Sequence, residues 1–191
     1  MEITYGFSPF RKEYHKMVKD GLITSCPFCA ESDMESQAIR SQNGEPVENE
    51  FSRWVINKYP YSDGHTLVVP KRHISSIHDM SRDEIISHHE MIRFAADTLQ
   101  KLYPDAGIET FLQYGKGSRM SLPHLHTHVV LALPTDTYRG MQKLGYFEAF
   151  EEDEEKIIML PVKVTLVREK LIEALAKVID LSELAKYTTA Q

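Results

Sequence analysis

The sequence predicts an α+β fold in which a mostly antiparallel sheet of about five strands packs with one long helix. Short apolar runs bounded by Gly, Pro and Asn are typical of strands, and one long segment spaces its apolar residues as a helix does. The 191 residues are 42% hydrophobic, which is enough for one sizeable core. We therefore expect a single domain over residues 1–191, with a helical N-terminal segment at 1–25 and a C-terminal extension at 135–191 packed on the core.

The N-terminal half is expected to supply a short helix and three strands. Gly21 ends the helix. Asn43 and Gly44 indicate the loop between the first two strands, which we expect to be antiparallel. In chain order, the helix covers Phe10 to Asp20, and the strands cover Gln37 to Ser41, Phe51 to Ile56, and Thr66 to Val69.

The second half contains the long helix and the remaining strands. Ser81 and Glu84 match a capping box, so the long helix begins there, and Pro104 follows its end. The apolar face of this helix is predicted to contain Ile85, Ile86, His89, Ile92, Phe94, Ala96, Leu99 and Leu102. Further strands are expected at Glu109 to Tyr114, Leu125 to Leu133 and around Ile157 to Val167, followed by a helix from Arg168 toward Lys186.

Composition excludes several classes of function. The net charge of -6 argues against a protein that binds a nucleic-acid polymer through a broad basic surface. A small phosphorylated ligand needs only a few local cations. No apolar run is long enough for a membrane span, and the N-terminus lacks the apolar region of a signal peptide. We expect a cytoplasmic protein with no membrane partner.

Three histidines occupy alternate positions of one predicted strand: His124, His126 and His128. Their side chains should project from one face, with successive imidazoles roughly 6.6 Å apart. Two charges at that distance repel by about 2.5 kcal/mol at an effective dielectric of about 20, so the row should hold about one proton near neutral pH. Such a row suits covalent phosphoryl chemistry at a histidine nitrogen. A divalent-metal site and an exposed histidine-rich face are the alternatives.

Two segments resemble the histidine-triad (HIT) family of nucleotide hydrolases and transferases. One is His-Leu-His-Thr-His at 124–128, followed by two valines. The other runs from Asn57 to His73 as N-x-x-P-x-x-x-G-H-x-L-V-x-P-K-R-H. The resemblance covers about residues 26 to 131. It implies a HIT-like fold, a nucleotide or dinucleotide substrate, and a homodimer formed through the long helix and the sheet edge.

The resemblance also implies roles for individual residues. His126 corresponds to the nucleophile that attacks the α-phosphate and forms a covalent nucleotidyl-histidine, and His128 to the residue that orients it and assists proton transfer to the leaving group. Gln113 and Ser121 stand where the family contacts phosphate, and Asn57 where it contacts ribose. Gln113 is similar to the branch that hydrolyses dinucleoside polyphosphates such as diadenosine tetraphosphate. Three intact histidines favour water as the final acceptor.

The loop before the triad is a candidate phosphate cradle. Backbone N–H groups around Gly117 can approach a phosphate closely, and Lys116 and Arg119 can balance its charge; a solvated loop is the alternative. Met120 and Leu131 depart from the family pattern, in which Gln and Pro are frequent at these positions. We therefore expect the phosphate contacts at this end of the motif to differ.

Cys26 and Cys29 have the spacing of half a tetrahedral zinc site, and the other two ligands must come from elsewhere, with histidine the expected source. Several HIT-like proteins resemble this arrangement, and by that resemblance the other ligands are His73 and His124. Zinc there would have a structural role. A redox pair and two metal-free thiols are the alternatives.

The main hypothesis is a zinc-bearing nucleotide hydrolase. A nucleotidyl transferase or phosphorylase of the same superfamily, a nucleotide-binding or sensing protein with little turnover, and a redox protein are the alternatives.

Overall fold

The computed structural model describes residues 16–18, 20–60, 64–118, 120, 122–134 and 161–188. Its strands are β1 (Ser52–Ile56), β2 (Thr66–Pro70), β3 (Gly107–Leu112) and β4 (Thr127–Ala132). Its helices are α1 (Glu31–Gln37), α2 (Arg82–Leu102), α3 (Pro161–Val178) and α4 (Leu181–Thr188), and a 3-10 helix spans Ile77–Asp79. The strands form one antiparallel sheet in the order β1-β2-β4-β3, which confirms the α+β class.

The first predicted strand, Gln37 to Ser41, is wrong. Gln37 ends α1, and beyond it Ala38 and Arg40 make only isolated bridges, to Val55 and Pro46. The chain reverses tightly over residues 41–45, where the N–H of Ser41 donates to the carbonyl of Glu45. Between the end of α1 and this reversal there are too few residues to pair with a neighbouring strand. The described sheet therefore has four strands.

The capping box of α2 is confirmed. The Ser81 hydroxyl accepts from the N–H of Glu84, and the Glu84 carboxylate accepts from the N–H of Ser81. The predicted apolar face is confirmed in part: Phe94 and Leu99 are buried, and Ile92 and Leu102 pack, partly buried, against the same core cluster. Ile86 is 43% exposed, and His89 is exposed as well. Part of the buried face is polar, and Glu84, His88 and Thr98 hydrogen-bond there through their side chains. The buried residues of α2 are Glu84, Ser87, His88, Met91, Phe94, Ala95, Thr98 and Leu99.

The C-terminal helices complete the main core. Leu171, Leu175, Ile179 and Leu184 are buried in the same cluster as Trp54 and residues of α2. The strand expected around residues 157–167 is wrong from Pro161 onward, because α3 begins there. Alternating valines favour a strand in the sequence, whereas a proline in the first turn of a helix needs no N–H partner.

Some predicted segments lie partly or wholly outside the described residues. Of the helix expected at Phe10 to Asp20, residues 16–18 are helical, and Gly21 follows with φ of 71°. The acidic stretch Glu148 to Glu155 lies outside the described residues. No helix in the described ranges combines the length and apolar character that a bilayer crossing requires.

Candidate active site and metal cluster

The three triad histidines do not form a uniform row on a strand. β4 begins at Thr127, so only His128 belongs to it, and His124 and His126 lie in the extended segment before it. The ring centroids of His126 and His128 are 5.0 Å apart, closer than the strand spacing predicts. The imidazoles of His126 and His128 therefore lie side by side, whereas that of His124 lies in a different cluster, described below.

His126 is held in one tautomer by the backbone. Its Nδ1 lies 2.8 Å from the carbonyl oxygen of His124, and because a carbonyl only accepts, Nδ1 carries the hydrogen. In the neutral ring the lone pair is then on Nε2. The ring of Phe28 packs against it with centroids 5.2 Å apart. Backbone and packing together fix the orientation of this imidazole, which is 7% exposed.

His128 is bound to a second buried histidine. The Nδ1 of His128 lies 2.8 Å from the Nε2 of His65, and the Nδ2 of Asn57 lies 3.0 Å from the same His65 atom. The ring of Phe111 stacks on His128 with centroids 4.5 Å apart and planes 13° apart, because the two residues are paired across β3 and β4.

Two of these contacts were missed from the sequence. Nothing in the sequence indicates that Phe28 contacts a histidine of the triad, because this contact depends on how the Cys-Pro-Phe-Cys turn folds. Phe111 contacts His128 through the register of two strands, which no local pattern reveals. His88 is 3% exposed and lies in the packing between α2 and the sheet.

His124 belongs to a different cluster. Its Nδ1 lies 3.3 Å from the sulfur of Cys26 and 3.4 Å from that of Cys29, and the Nδ1 of His73 lies 3.3 Å from the sulfur of Cys29. All four ligand atoms lie within 4.8 Å of one another. Sulfur and nitrogen ligands of a tetrahedral zinc ion would be separated by about 3.5 Å, so the donor set fits that metal.

The second nitrogen of His124 supports this assignment. Its Nε2–H donates to the carbonyl of Pro70 at 2.9 Å, which leaves the lone pair on the Nδ1 that faces the sulfurs. Burial lowers the pKa of His124 to about 4, so the ring is neutral, as a metal ligand must be. Burial also raises the pKa of the Cys26 thiol to about 11, a preference that a bound cation would reverse.

The residues expected to contact substrate have mixed positions. Gln113 directly follows β3, whose last residue, Leu112, pairs with Thr127 of β4. One further step in this register would place Gln113 opposite His126. Lys116 and Gly117 lie in an exposed turn, and Gly117 has φ of 87° with nothing within 4 Å of where a Cβ would be. Arg119 and Ser121 lie outside the described residues.

Two other nearby cations are ion-paired. Lys71 binds Glu48 at 2.8 Å, and Arg72 binds Glu84 through two hydrogen bonds of 2.8 and 2.9 Å. Within the described part of the chain, these side chains secure the loop that carries His73. They are engaged by carboxylates in this structure.

Comparison with known families matches the segment that contains the triad histidines, His65 and His73. The family model of the HIT domain matches residues 47–133. This segment is therefore similar to the HIT domain. Two solved HIT structures share its fold: a HIT-like protein from Bartonella henselae, with TM-score 0.54, 17% identity and coverage of 74% of this chain and 87% of that one, and a hypothetical histidine triad nucleotide-binding protein from Sulfolobus tokodaii, with TM-score 0.52, 19% identity and coverage of 80% and 93%.

Relatives of the HIT domain include named enzymes. A 16.1 kDa HIT-like protein of Mycoplasma pneumoniae is 29% identical over 108 residues, 56% of this chain and 70% of that protein. The AP-4-A phosphorylase of Mycobacterium tuberculosis is 34% identical over 77 residues, 40% of each chain. The asymmetrical bis(5'-nucleosyl)-tetraphosphatase of Schizosaccharomyces pombe is 24% identical over 75 residues, 39% of this chain and 41% of the enzyme. The match thus spans about two fifths of either enzyme.

Proposed function

We propose that this protein is a nucleotide hydrolase that attacks the α-phosphate of a nucleotide, such as a dinucleoside polyphosphate, through the Nε2 of His126. The observation that carries the proposal is the hydrogen bond from His126 Nδ1 to the carbonyl of His124, 2.8 Å long. It leaves a lone pair on Nε2, which a nucleophile requires, and the carbonyl would stabilise the positive charge that develops on the ring.

The reaction has two balanced steps. In the first, His126 Nε2 forms a bond to the α-phosphorus and the bond from phosphorus to the leaving oxygen breaks. His128, which starts this step with hydrogen on both ring nitrogens, gives that oxygen the proton of its Nε2. In the second, water forms a bond to phosphorus, gives its proton to His128 Nε2, and the bond from phosphorus to His126 breaks. Gln113, Ser121, Gly117, Lys116 and Arg119 are proposed to bind the phosphates.

The test is His126→Ala assayed on adenine and guanine dinucleoside polyphosphates, with mass detection of the wild-type His126 peptide after acid quench. We expect a nucleotidyl adduct in the wild type and a loss of turnover of about 10³-fold or more in the variant. His89→Ala removes an exposed histidine from α2 and should retain activity. Undiminished turnover by His126→Ala would contradict the mechanism, and tight binding with neither adduct nor turnover would indicate a sensing protein.

A phosphorylase is the second candidate, because one relative named an AP-4-A phosphorylase is 34% identical over the matched segment. Adding inorganic phosphate to the same assay separates the two activities. A hydrolase releases the nucleoside monophosphate whether or not phosphate is present, whereas a phosphorylase releases a product with one additional phosphate. The three intact histidines favour water.

We also propose that Cys26, Cys29, His73 and His124 hold a structural zinc ion. When bound, the ion would tie the Cys-Pro-Phe-Cys turn and the segment after β2 to the triad. It would take no part in the phosphoryl transfer.

Metal analysis of the purified protein should give one zinc per chain, and Cys29→Ser should lower both the zinc content and the melting temperature. His78→Gln, which changes an exposed histidine outside the cluster, should alter neither. A wild-type protein that neither contains nor takes up zinc would contradict this proposal.

A homodimer is proposed to form through α2 and β3. Within the described residues β3 is an edge strand that pairs only with β4, and edge backbone groups are open to pairing. A groove of about 200 Å³ lies between α2, β3 and the 3-10 helix, and Ile85 and Ile92 are among the residues that line it. Cytoplasmic location stays a prediction.

A further inference from the structure

The imidazole of His88, on the long helix α2, bridges two strands of the sheet. Its Nδ1 lies 3.1 Å from the hydroxyl oxygen of Ser52 in β1, and its Nε2 lies 2.8 Å from the hydroxyl oxygen of Thr127 in β4. β2 lies between those two strands, and all three side chains are buried. A hydroxyl both donates and accepts, so it pairs with an imidazole nitrogen whether or not that nitrogen carries hydrogen. Either tautomer of His88 therefore keeps both hydrogen bonds.

Thr127 stands where the irregular part of the triad segment meets the strand. It is the first residue of β4, where it pairs with Val68 of β2 and Leu112 of β3. His126 precedes it outside the strand, and His128 follows it within the strand. The separation of these two imidazoles, 5.0 Å between centroids, depends on how the chain passes through this one residue.

Packing is incomplete beside this junction. A groove of about 200 Å³ borders it, and His88, Leu125 and Thr127 are among the residues that line the groove. An apolar contact is non-directional, whereas a hydrogen bond weakens steeply once its distance and angle leave their narrow preferred ranges. The hydrogen bond to His88 is thus the directional contact that fixes the side chain of Thr127 against α2.

We propose that His88 is a positioning residue for the triad, which fixes Thr127 and thereby the relative placement of His126 and His128. The consequence for catalysis rests on the proposed function. In that reaction one imidazole bonds to phosphorus while the other exchanges a proton with an oxygen on the same phosphorus, so their separation must match one phosphate group. A displacement of about 1 Å in such a site lowers the rate about 10²-fold.

Two substitutions of His88 separate its two hydrogen bonds. The amide of glutamine reaches the position of an imidazole Nε2, and the shorter amide of asparagine reaches only that of Nδ1. We therefore expect His88→Gln to keep the contact with Thr127 and most of kcat. His88→Asn should keep only the contact with Ser52 and lower kcat about 10- to 100-fold, with little change in KM.

Substitutions in the strands test the same division, with rates measured well below every melting temperature. Thr127→Val removes the hydroxyl and should lower kcat as His88→Asn does, whereas Thr127→Ser keeps the hydroxyl and should recover activity. Ser52→Ala removes the other hydrogen bond of His88 and is the matched control. It should lower the melting temperature and leave kcat close to that of the wild type. A wild-type kcat in Thr127→Val, or equal losses of kcat in Thr127→Val and Ser52→Ala, would overturn the proposal.

The imidazole ¹H–¹³C NMR signals of His126 and His128 give a measurement that needs no turnover. We expect both signals to shift in His88→Asn, although that change lies on another element, and to stay close to wild type in His88→Gln. Unchanged signals in His88→Asn refute the positioning role even if the His126 adduct forms. Shifted signals in a protein that forms no adduct support the positioning role and count against the hydrolase. If His88→Asn does not fold, Thr127→Val and Thr127→Ser provide the same comparison.

Discussion

His88 joins the long helix to the sheet from inside the core. Its Nδ1 lies 3.1 Å from the hydroxyl of Ser52 in β1, and its Nε2 lies 2.8 Å from the hydroxyl of Thr127 in β4. Thr127 stands between His126 and His128 in the chain. A hydrogen bond from α2 to the first residue of β4 therefore holds the chain between His126 and His128.

The burial of His88 predicts a pH-dependent stability. Burial above all, and the neighbouring His89, lower the pKa of His88 to about 4 from an ordinary value of 6.5. The unfolded chain then binds the proton more readily, so the free energy of unfolding falls as pH drops from about 6.5 toward 4, by on the order of 3 kcal/mol in total. Urea unfolding at several pH values measures this.

The control for His88 is its neighbour. His88→Gln should flatten the dependence of the unfolding free energy on pH over this window, because glutamine does not titrate. His89→Gln replaces an exposed side chain and should leave most of the slope. Equal slopes in wild type and His88→Gln would refute the assignment.

At the scale of elements, the start of α2 is tied to the segment after β2. Glu84 is both the capping-box residue and the partner of Arg72, whose Nη2 also donates to the carbonyl of Asp79 at 2.6 Å. The hydrogen bond from Arg72 is the main cause that lowers the pKa of Glu84 to about 2. One carboxylate thus begins a helix and positions the segment that carries His73.

Glu84→Gln should therefore cost more than a helix cap alone. We expect the free energy of unfolding to fall by about 1–2 kcal/mol near neutral pH, because the Glu84 carboxylate loses its charge-assisted hydrogen bonds from Arg72, whose side chain is 54% exposed, and its part in the cap. In the wild type this contribution should disappear as pH falls from about 4.5 toward 2. Thermal melts of Glu84→Gln and of Asp83→Asn, an exposed acid in the same turn, provide the comparison; equal effects would contradict the role of Arg72.

The elements differed in how far the sequence could predict them. The box at Ser81 and Glu84 is a local rule, so the start of α2 was predicted correctly. Which face of α2 is buried depends on partners such as Thr127, distant in sequence, and that prediction was only partly correct. Residues 37–41 and 161–167 have strand-like patterns, yet neighbouring turns and helices decided their structure. The pairing of Phe111 with His128 likewise depends on strand register.

At the scale of the whole molecule, we expect the exposed face of α2 to form part of the proposed dimer interface. Ile86 of α2 is 43% exposed. We expect light scattering after gel filtration to give twice the mass of 22.0 kDa, and Ile86→Glu to shift the protein toward the monomer. Val178→Glu places the same charge on α3 and should not. A monomeric wild type at tens of micromolar would contradict the dimer.

The C-terminal helices have a consequence for how the protein is made. Gln42 binds the backbone carbonyls of Lys177 and Ile179, and the hydroxyl of Tyr187 donates to Asp97 at 2.7 Å. Residues 171–184 thus complete a core whose other residues are translated much earlier. During synthesis on the ribosome, the apolar side chains of that core stay exposed to solvent until α4 has left the exit tunnel. The nascent chain therefore completes its core late, or a chaperone covers these side chains until then.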